Sequence, residues 1–598
     1  MESSETSESA GPAGSLRNLL LRLRRSTPLI LSVLAVVIGV AAGLAAIVFR
    51  LAIDLTQRGT FGFGGERVAT LAGELAWWHL LLVPAAGGLM IGLFVHYFMP
   101  GRRPLGVADV IEASALKGGR MGLADGIKAA AVSAASIGVG ASVGREGPVV
   151  HLGASLGGWL AARLNLGRGL SRSLLGCGVA AAVAASFNAP IAGSIFALEV
   201  VVGHYALSAF APIVIASVTG AIVSRMHYGD FPAFSPPQEW VIVSFWEFPA
   251  FALLGIVCAL VAIAFMRSVI IAEKAIARIP LPGWSLPAVA GLTTGLMALV
   301  FPQVLGVGYE ATDSALSQLY PLWLLLALLV VKTLATAFCL VAGFGGGVFS
   351  PSLFMGAMVG GAFGSVATLV FPELSSGQGA YAMVGMGAVA GAVLGAPIST
   401  ILVIFELTSG YALTIAVMIA TVIASTITQH LHGASFFHRQ LERRGLSLGQ
   451  GPEVNLLRAT RVHSVMDSGA QTIDIEAPLA EVREGLKAAP WGQLFVVDGD
   501  GCLAGTITLN DLDEAAFDRS HDAEWTARDV TRPEPAMLAV DDDLITAVDL
   551  FRESGEAHLP VVRDRDSLTL VGVAHEHKVV TSYHEAVIRA RAEERGED

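Results

Sequence analysis

The chain has 598 residues, of which 54% are hydrophobic and only 15% charged. That balance excludes an ordinary soluble globular protein and fits an α-helical polytopic membrane protein with a soluble appendage. The net charge of −12 is concentrated in the tails, so it argues against a nucleic-acid partner and says little about the apolar part.

Residues 1–15 are mostly polar and read as disordered; no cleavable signal peptide is expected, because the first apolar segment is too long for one. Residues 16–27 read as a basic juxtamembrane helix, and Arg17, Arg22, Arg24 and Arg25 place the N-terminus in the cytoplasm. A membrane domain is expected over 28–435, with spanning stretches near 28–53, 76–98, 209–224, 248–272, 284–302 and 322–342. The apolar stretches 174–186 and 189–203 are shorter and broken by Gly or Pro. Broken helices at membrane depth survive only inside protein or along a cavity. The 67 glycines, well above the usual share of about 7%, point the same way. Cys177, Cys258, Cys339 and Cys502 show neither metal nor CxxC spacing and read as packing residues. His151 and His204 stand isolated in the apolar region, so neither an enzyme nor a metal-ion transporter is favoured.

One pentapeptide stands out, Gly144-Arg145-Glu146-Gly147-Pro148. A charged side chain at the bilayer centre costs about 2.5–3.5 kcal/mol on insertion scales, so it normally faces a cavity or a conduction path. Glycine on each side of the Arg-Glu pair leaves backbone amides bare, and Pro148 suits a first helical turn. Amides at a helix start attract anions, and a carboxylate placed there competes with the anion. Such a carboxylate is a gate.

The region repeats itself. Gly144–Pro148 matches Gly347–Pro351, and Gly153, Gly157 and Gly158 stand at the same distance from Gly356, Gly360 and Gly361. Ala189-Pro190 with Glu199 then matches Ala396-Pro397 with Glu406. Two halves sharing glycine-rich helix starts are expected to hold a binding site at their interface. After a charged linker at 436–456, residues 457–586 repeat a smaller pattern, and 587–598 form a charged tail. Leu494–Thr508, and His558–Val562 to Leu570–Ala574, each read strand, turn, strand, with helices expected upstream at 480–489 and 543–554.

Those motifs, in order and spacing over nearly the whole chain, resemble the CLC family of chloride channels and proton-coupled anion exchangers. The 457–586 region resembles its C-terminal pair of cystathionine-β-synthase-type (CBS) domains. The resemblance implies a homodimer with one anion pathway per subunit, in a fold of two structurally repeated halves with broken helices plus an α/β CBS pair. It makes Glu146 the gating glutamate, flanked by Arg145 and Gly147 in the anion-binding stretch, and Val348 and Phe349 the residues whose amides hold the central anion. The family's serine position falls on Leu105, beside Gly106, and its central tyrosine on or near Phe437, so both side-chain hydroxyls are missing. Weaker central binding and poorer discrimination among anions are expected. The proton-relay acid of exchangers falls on Val200, which cannot carry a proton, whereas Glu199 and Glu406 are expected to make structural hydrogen bonds near a dimer or domain contact.

The implied function is therefore a voltage- or pH-gated chloride channel, with a proton-coupled chloride antiporter as the alternative and a CBS-regulated metal-ion transporter as a remote third. A fluoride-selective branch is disfavoured by the glutamate of the pentapeptide. In the CBS pair, Thr508 and Asp511 match an adenine-nucleotide motif, whereas the second repeat carries Lys578 in place of the aspartate. His575 and His577 are expected to be exposed and solvated. No other cofactor or metal is implied, and the expected location is the plasma membrane of a prokaryote, with both termini cytoplasmic.

Overall fold

The computed structural model describes residues 27–203, 207–230, 234, 242–278, 280–446, 457–458, 460–512, 522 and 524–595. The basic stretch before residue 27, His204, and residues 447–456 of the linker lie outside these. The chain divides into two compact units, Met1–Ser447 and Leu448–Glu597.

Among the described residues of the first unit, eight helices are long and apolar enough to cross a membrane. Five coincide with expected stretches. The sixth expected span, 284–302, forms a 3-10 turn and a helix of only 13 residues, Leu286–Ala298. At about 1.5 Å per residue such a helix reaches about 20 Å, short of the ~30 Å hydrocarbon layer. Its glycines explain its place: a Cβ on Gly291 or Gly295 would strike the carbonyls of Pro84 or Leu80 in the Trp77–Phe98 helix. Hydropathy had understated the Arg168–Phe187 helix, because Ala, Gly and Ser dilute it. Those small residues put 83% of its apolar window inside the protein.

The repeated glycines are crossing points. A Cβ on Gly153 would collide with the carbonyl of Gly178, where the Glu146–Arg163 helix crosses Arg168–Phe187. Gly356 stands in the same relation to Gly385, between Phe349–Val370 and Gln378–Leu394. The halves then meet reciprocally. Gly144 N–H donates to the Gly347 carbonyl at 2.7 Å, and Gly347 N–H donates back to Gly144 at 2.8 Å. Glu199 accepts from the amides of Ile398 and Ser399, at 3.0 and 2.8 Å, at the start of the Pro397–Thr408 helix. Glu406 accepts from Ile191 and Ala192, at 2.9 and 2.7 Å, at the start of Pro190–Phe196. Each half thus caps the other's helix, the reciprocity of a local two-fold axis.

In the second unit, β1 (Thr472–Asp474) pairs parallel with β2 (Gln493–Val497), which pairs antiparallel with β3 (Leu503–Thr508), and β4 (Arg532–Pro533) closes that sheet. β5 (Leu538–Ala539), β6 (His558–Val562) and β7 (Leu570–His575) repeat the order. Both hairpins shift register at the same place, Val496/Val497 and Val561/Val562. Helices Leu479–Ala488 and Leu544–Ser554 lie where amphipathic spacing put them.

Candidate functional site

Two helix starts converge at the centre of the first unit, Glu146 of one half and Phe349 of the other. Gly147 and Gly347 touch there; a Cβ on Gly147 would come within 3.1 Å of Gly347 Cα. Side chains at these positions would force the helix starts apart. The first amides of each helix have no intrahelical carbonyl to bond.

A cavity of about 820 Å³ opens on one side of this junction, and Leu105, Gly106, Gly147, Val348, Phe349 and Phe437 all line it. Six of the seven positions expected to hold an anion thus share one space. None of their side chains brings a hydroxyl. The Phe349 ring packs against Phe187 and Phe196, at 4.9 and 5.9 Å, leaving its backbone as the polar group near the cavity. Phe437 is buried and meets Phe436 edge-on. Gly106 N–H is already bonded, donating to Asp109 Oδ2 at 2.8 Å. Asp109 is in turn held by Arg103 and by Arg444 at 2.9 Å.

The seventh position, Arg145, faces elsewhere. It lines a separate cavity of about 270 Å³ with Arg50, Glu66, Tyr228, Tyr309 and Glu310. Its guanidinium lies over the Tyr309 ring at 4.3 Å and pairs with Glu66 at 3.0 Å, while Arg50 bridges Glu66 and the Tyr228 ring. Glu146 is 1% exposed and stands between neighbours that line different cavities. The Tyr309 hydroxyl donates to Glu146 Oε1 at 2.6 Å, Ser350 Oγ donates to Oε2, and Arg145 Nε lies 3.7 Å from Oε1. Sequence reading missed both hydroxyls, although Ser350 lies inside the Gly347–Pro351 motif and Tyr309 follows the glycine pair Gly306/Gly308.

Val200 is buried in a π-helical segment, Ala197–Val202. In the second unit Thr508 N–H and Oγ1 both donate to Asp511 Oδ2, each at 2.7 Å, so the expected nucleotide pair is joined across a strand-to-helix turn. Lys578, which replaces the second aspartate, binds Asp467 at 2.6 and 2.7 Å. His577 is exposed, bonded to Thr581. His575 corrects the expectation of a solvated pair: it is 8% exposed. Strand β7 runs through it, turning its ring onto Trp491 at 4.4 Å and its Nδ1 to within 2.9 Å of His558 Nδ1.

Comparison with known proteins agrees with this architecture. The voltage gated chloride channel family matches residues 87–429, and the CBS domain family matches 462–518 and 527–585. A ClcB-like chloride channel protein of Ralstonia nicotianae is 36% identical over 416 residues, 69% of this chain and 96% of that protein. Among solved structures, a slow cyanobacterial Cl−/H+ antiporter superposes with a TM-score of 0.63 at 24% identity, over 69% of this chain and 97% of that one. A eukaryotic CLC transporter does so with a TM-score of 0.61 at 19% identity, over 94% and 98%. The two-fold meeting of helix starts, the paired α/β modules and the sequence matches place this chain in the CLC family of chloride channels and transporters, with a C-terminal pair of CBS domains.

Proposed function

We propose that this protein is a passive chloride channel whose pathway is opened and closed by Glu146. The observation that carries the reading is one buried carboxylate, at the junction of two helix starts, whose chain neighbours Arg145 and Gly147 line different cavities. In the closed state the carboxylate takes the position an anion would need; protonation or displacement frees it, which makes opening sensitive to pH and voltage. Small anions in the larger cavity meet backbone amides of Gly147, Val348 and Phe349, whose partial positive charge is reinforced by the helix dipoles. Leu105 and Phe437 contribute shape and dryness there. Arg145, across the gate, holds the mouth of the smaller cavity positive while Glu66 limits that charge. Val200 supports passive conduction over exchange, since a valine cannot relay protons toward Glu146.

The membrane domain of this reading covers 28–435 and the CBS pair 457–586, joined by a linker at 436–456 and followed by a tail at 587–598. The protein acts as a homodimer in a prokaryotic plasma membrane with both termini in the cytoplasm. CBS domains commonly bind adenine nucleotides, and Thr508 with Asp511 supports one such site per chain.

The test is the reversal potential of purified protein in a planar bilayer, with a fixed chloride gradient and a varied pH gradient. A potential that follows chloride alone, with Glu146→Gln altering gating but not reversal, is the expected result. A potential that moves with the pH gradient at a fixed ratio makes the protein a proton-coupled antiporter instead.

A further inference from the structure

The chain lacks hydroxyls at the centre of its pathway yet directs two at the gate. Tyr309 and Ser350 both donate to the Glu146 carboxylate, one to each oxygen. Tyr309 and Ser350 are 4% and 2% exposed, so bulk water does not compete for these bonds. Both positions are held from several sides. Arg145 covers the Tyr309 ring at 4.3 Å and Phe234 packs against it at 4.6 Å. The segment that delivers Tyr309 is tied by Lys332, which is fully buried and donates to the Val304 and Gly306 carbonyls at 3.1 and 2.8 Å. Gly308, at φ +90°, makes the turn into the Tyr309–Leu316 helix. Ser350 sits in the first turn of the Phe349–Val370 helix, beside the bare amides. Rigid donors of this kind do not follow a departing carboxylate; they stay where it was.

We propose that Tyr309 and Ser350 form a hydroxyl latch that holds Glu146 closed and, once the carboxylate leaves, serve as side-chain ligands for a small monovalent anion in the vacated position. This rests on Glu146 being the gate. A charge-assisted hydrogen bond from a buried hydroxyl strengthens the closed state, so each latch hydroxyl shifts the opening equilibrium by about tenfold or more. The same two donors replace, at the gate, the hydroxyls that Leu105 and Phe437 do not supply at the centre. Anion selectivity is therefore set at the gate in this chain.

The experiment is chloride efflux from liposomes containing the full chain, together with calorimetric chloride binding in detergent. Tyr309→Phe keeps the ring against Arg145 and Phe234 and removes only the oxygen; Ser350→Ala is the independent second variant, and melting temperatures show that each folds. Each substitution is expected to raise efflux about tenfold in the native background. In a Glu146→Ala background neither raises efflux further, and each weakens chloride binding by about threefold or more. If Glu146→Ala leaves efflux and its pH dependence unchanged, the gate reading fails and the latch with it. If Glu146→Ala changes efflux while both hydroxyl variants stay within about twofold of wild type in rate and in chloride affinity, the gate stands and the latch is overturned.

Discussion

At the scale of single residues, the proposed anion pathway carries apolar side chains, Leu105 and Phe437, where the family resemblance places hydroxyls. Leu105 and Phe437 both line the larger cavity, where an anion stripped of water gains from each donor it finds. A hydrogen bond to a charged group adds about 1.5–3 kcal/mol net, so one restored hydroxyl is worth a gain in affinity of about tenfold or more. Leu105→Ser and Phe437→Tyr should therefore raise chloride affinity by that factor singly, read by calorimetry. Unchanged affinity in the double variant would show that neither side chain faces the bound anion. That Leu105, Gly106, Gly147, Val348, Phe349 and Phe437 share one cavity follows motifs whose backbone chemistry is written largely in Gly and Pro. Tyr309 was not legible in this way, since nothing local in Gly306–Glu310 says which carboxylate lies across the cavity.

At the scale of elements, glycine does two different jobs. At Gly147 and Gly347 its bareness lets two helix starts touch, and at Gly178 and Gly385 it lets whole helices cross in contact. An alanine at Gly178 would drive its Cβ into the Gly153 carbonyl, and backbone cannot yield as a flexible side chain can. Gly178→Ala should destabilise the first unit by about 1–3 kcal/mol, seen as a lower melting temperature in detergent, and Gly385→Ala should do the same in the other half. Glu199 and Glu406 belong to this scale too. Their symmetry was visible in the sequence, and their role as caps of each other's half was not, because a cap is recognised only when the helix it ends is in place. In the unexpectedly short Leu286–Ala298 helix, an apolar run measures hydrophobicity only: Pro302 cannot continue the helix, and Gly291 and Gly295 set how closely it lies on Trp77–Phe98.

At the scale of the whole molecule, the second unit carries a pH-dependent element of its own. In the second unit His558 sits beside His575, and burial, with the neighbouring imidazole, lowers its pKa from the ordinary 6.5; Glu556 opposes the shift. The unfolded chain therefore takes up a proton at a pH where the folded unit still resists it. The contribution of His558 to stability is present above 6.5 and is lost as pH falls below it. Asp467 adds the same sign at lower pH, because its bond to Lys578 holds its carboxyl below the usual 3.8. In full-length protein, hydrogen-exchange protection of 558–562 and 570–575, corrected for the intrinsic rate, should drop between about pH 7 and pH 5.5. Protection that stays level across that interval would show that protonation of His558 does not destabilise the second unit.

By itself the sequence determined the class of protein, the pairing of its halves, the CBS modules and the segment that carries the buried carboxylate of Glu146. These rest on local properties: apolar length, hydrophobic period, and the bare backbone of Gly beside Pro. The tertiary structure alone decided that Arg145 and Gly147, two residues apart, serve different cavities, that Glu199 and Glu406 exchange caps, and that Tyr309 and Ser350 grip Glu146. The reason is physical. A hydrogen bond between residues 163 or 204 positions apart has no signature in either one's neighbourhood; it exists only because glycine-lined helices cross closely enough to bring both ends to one point.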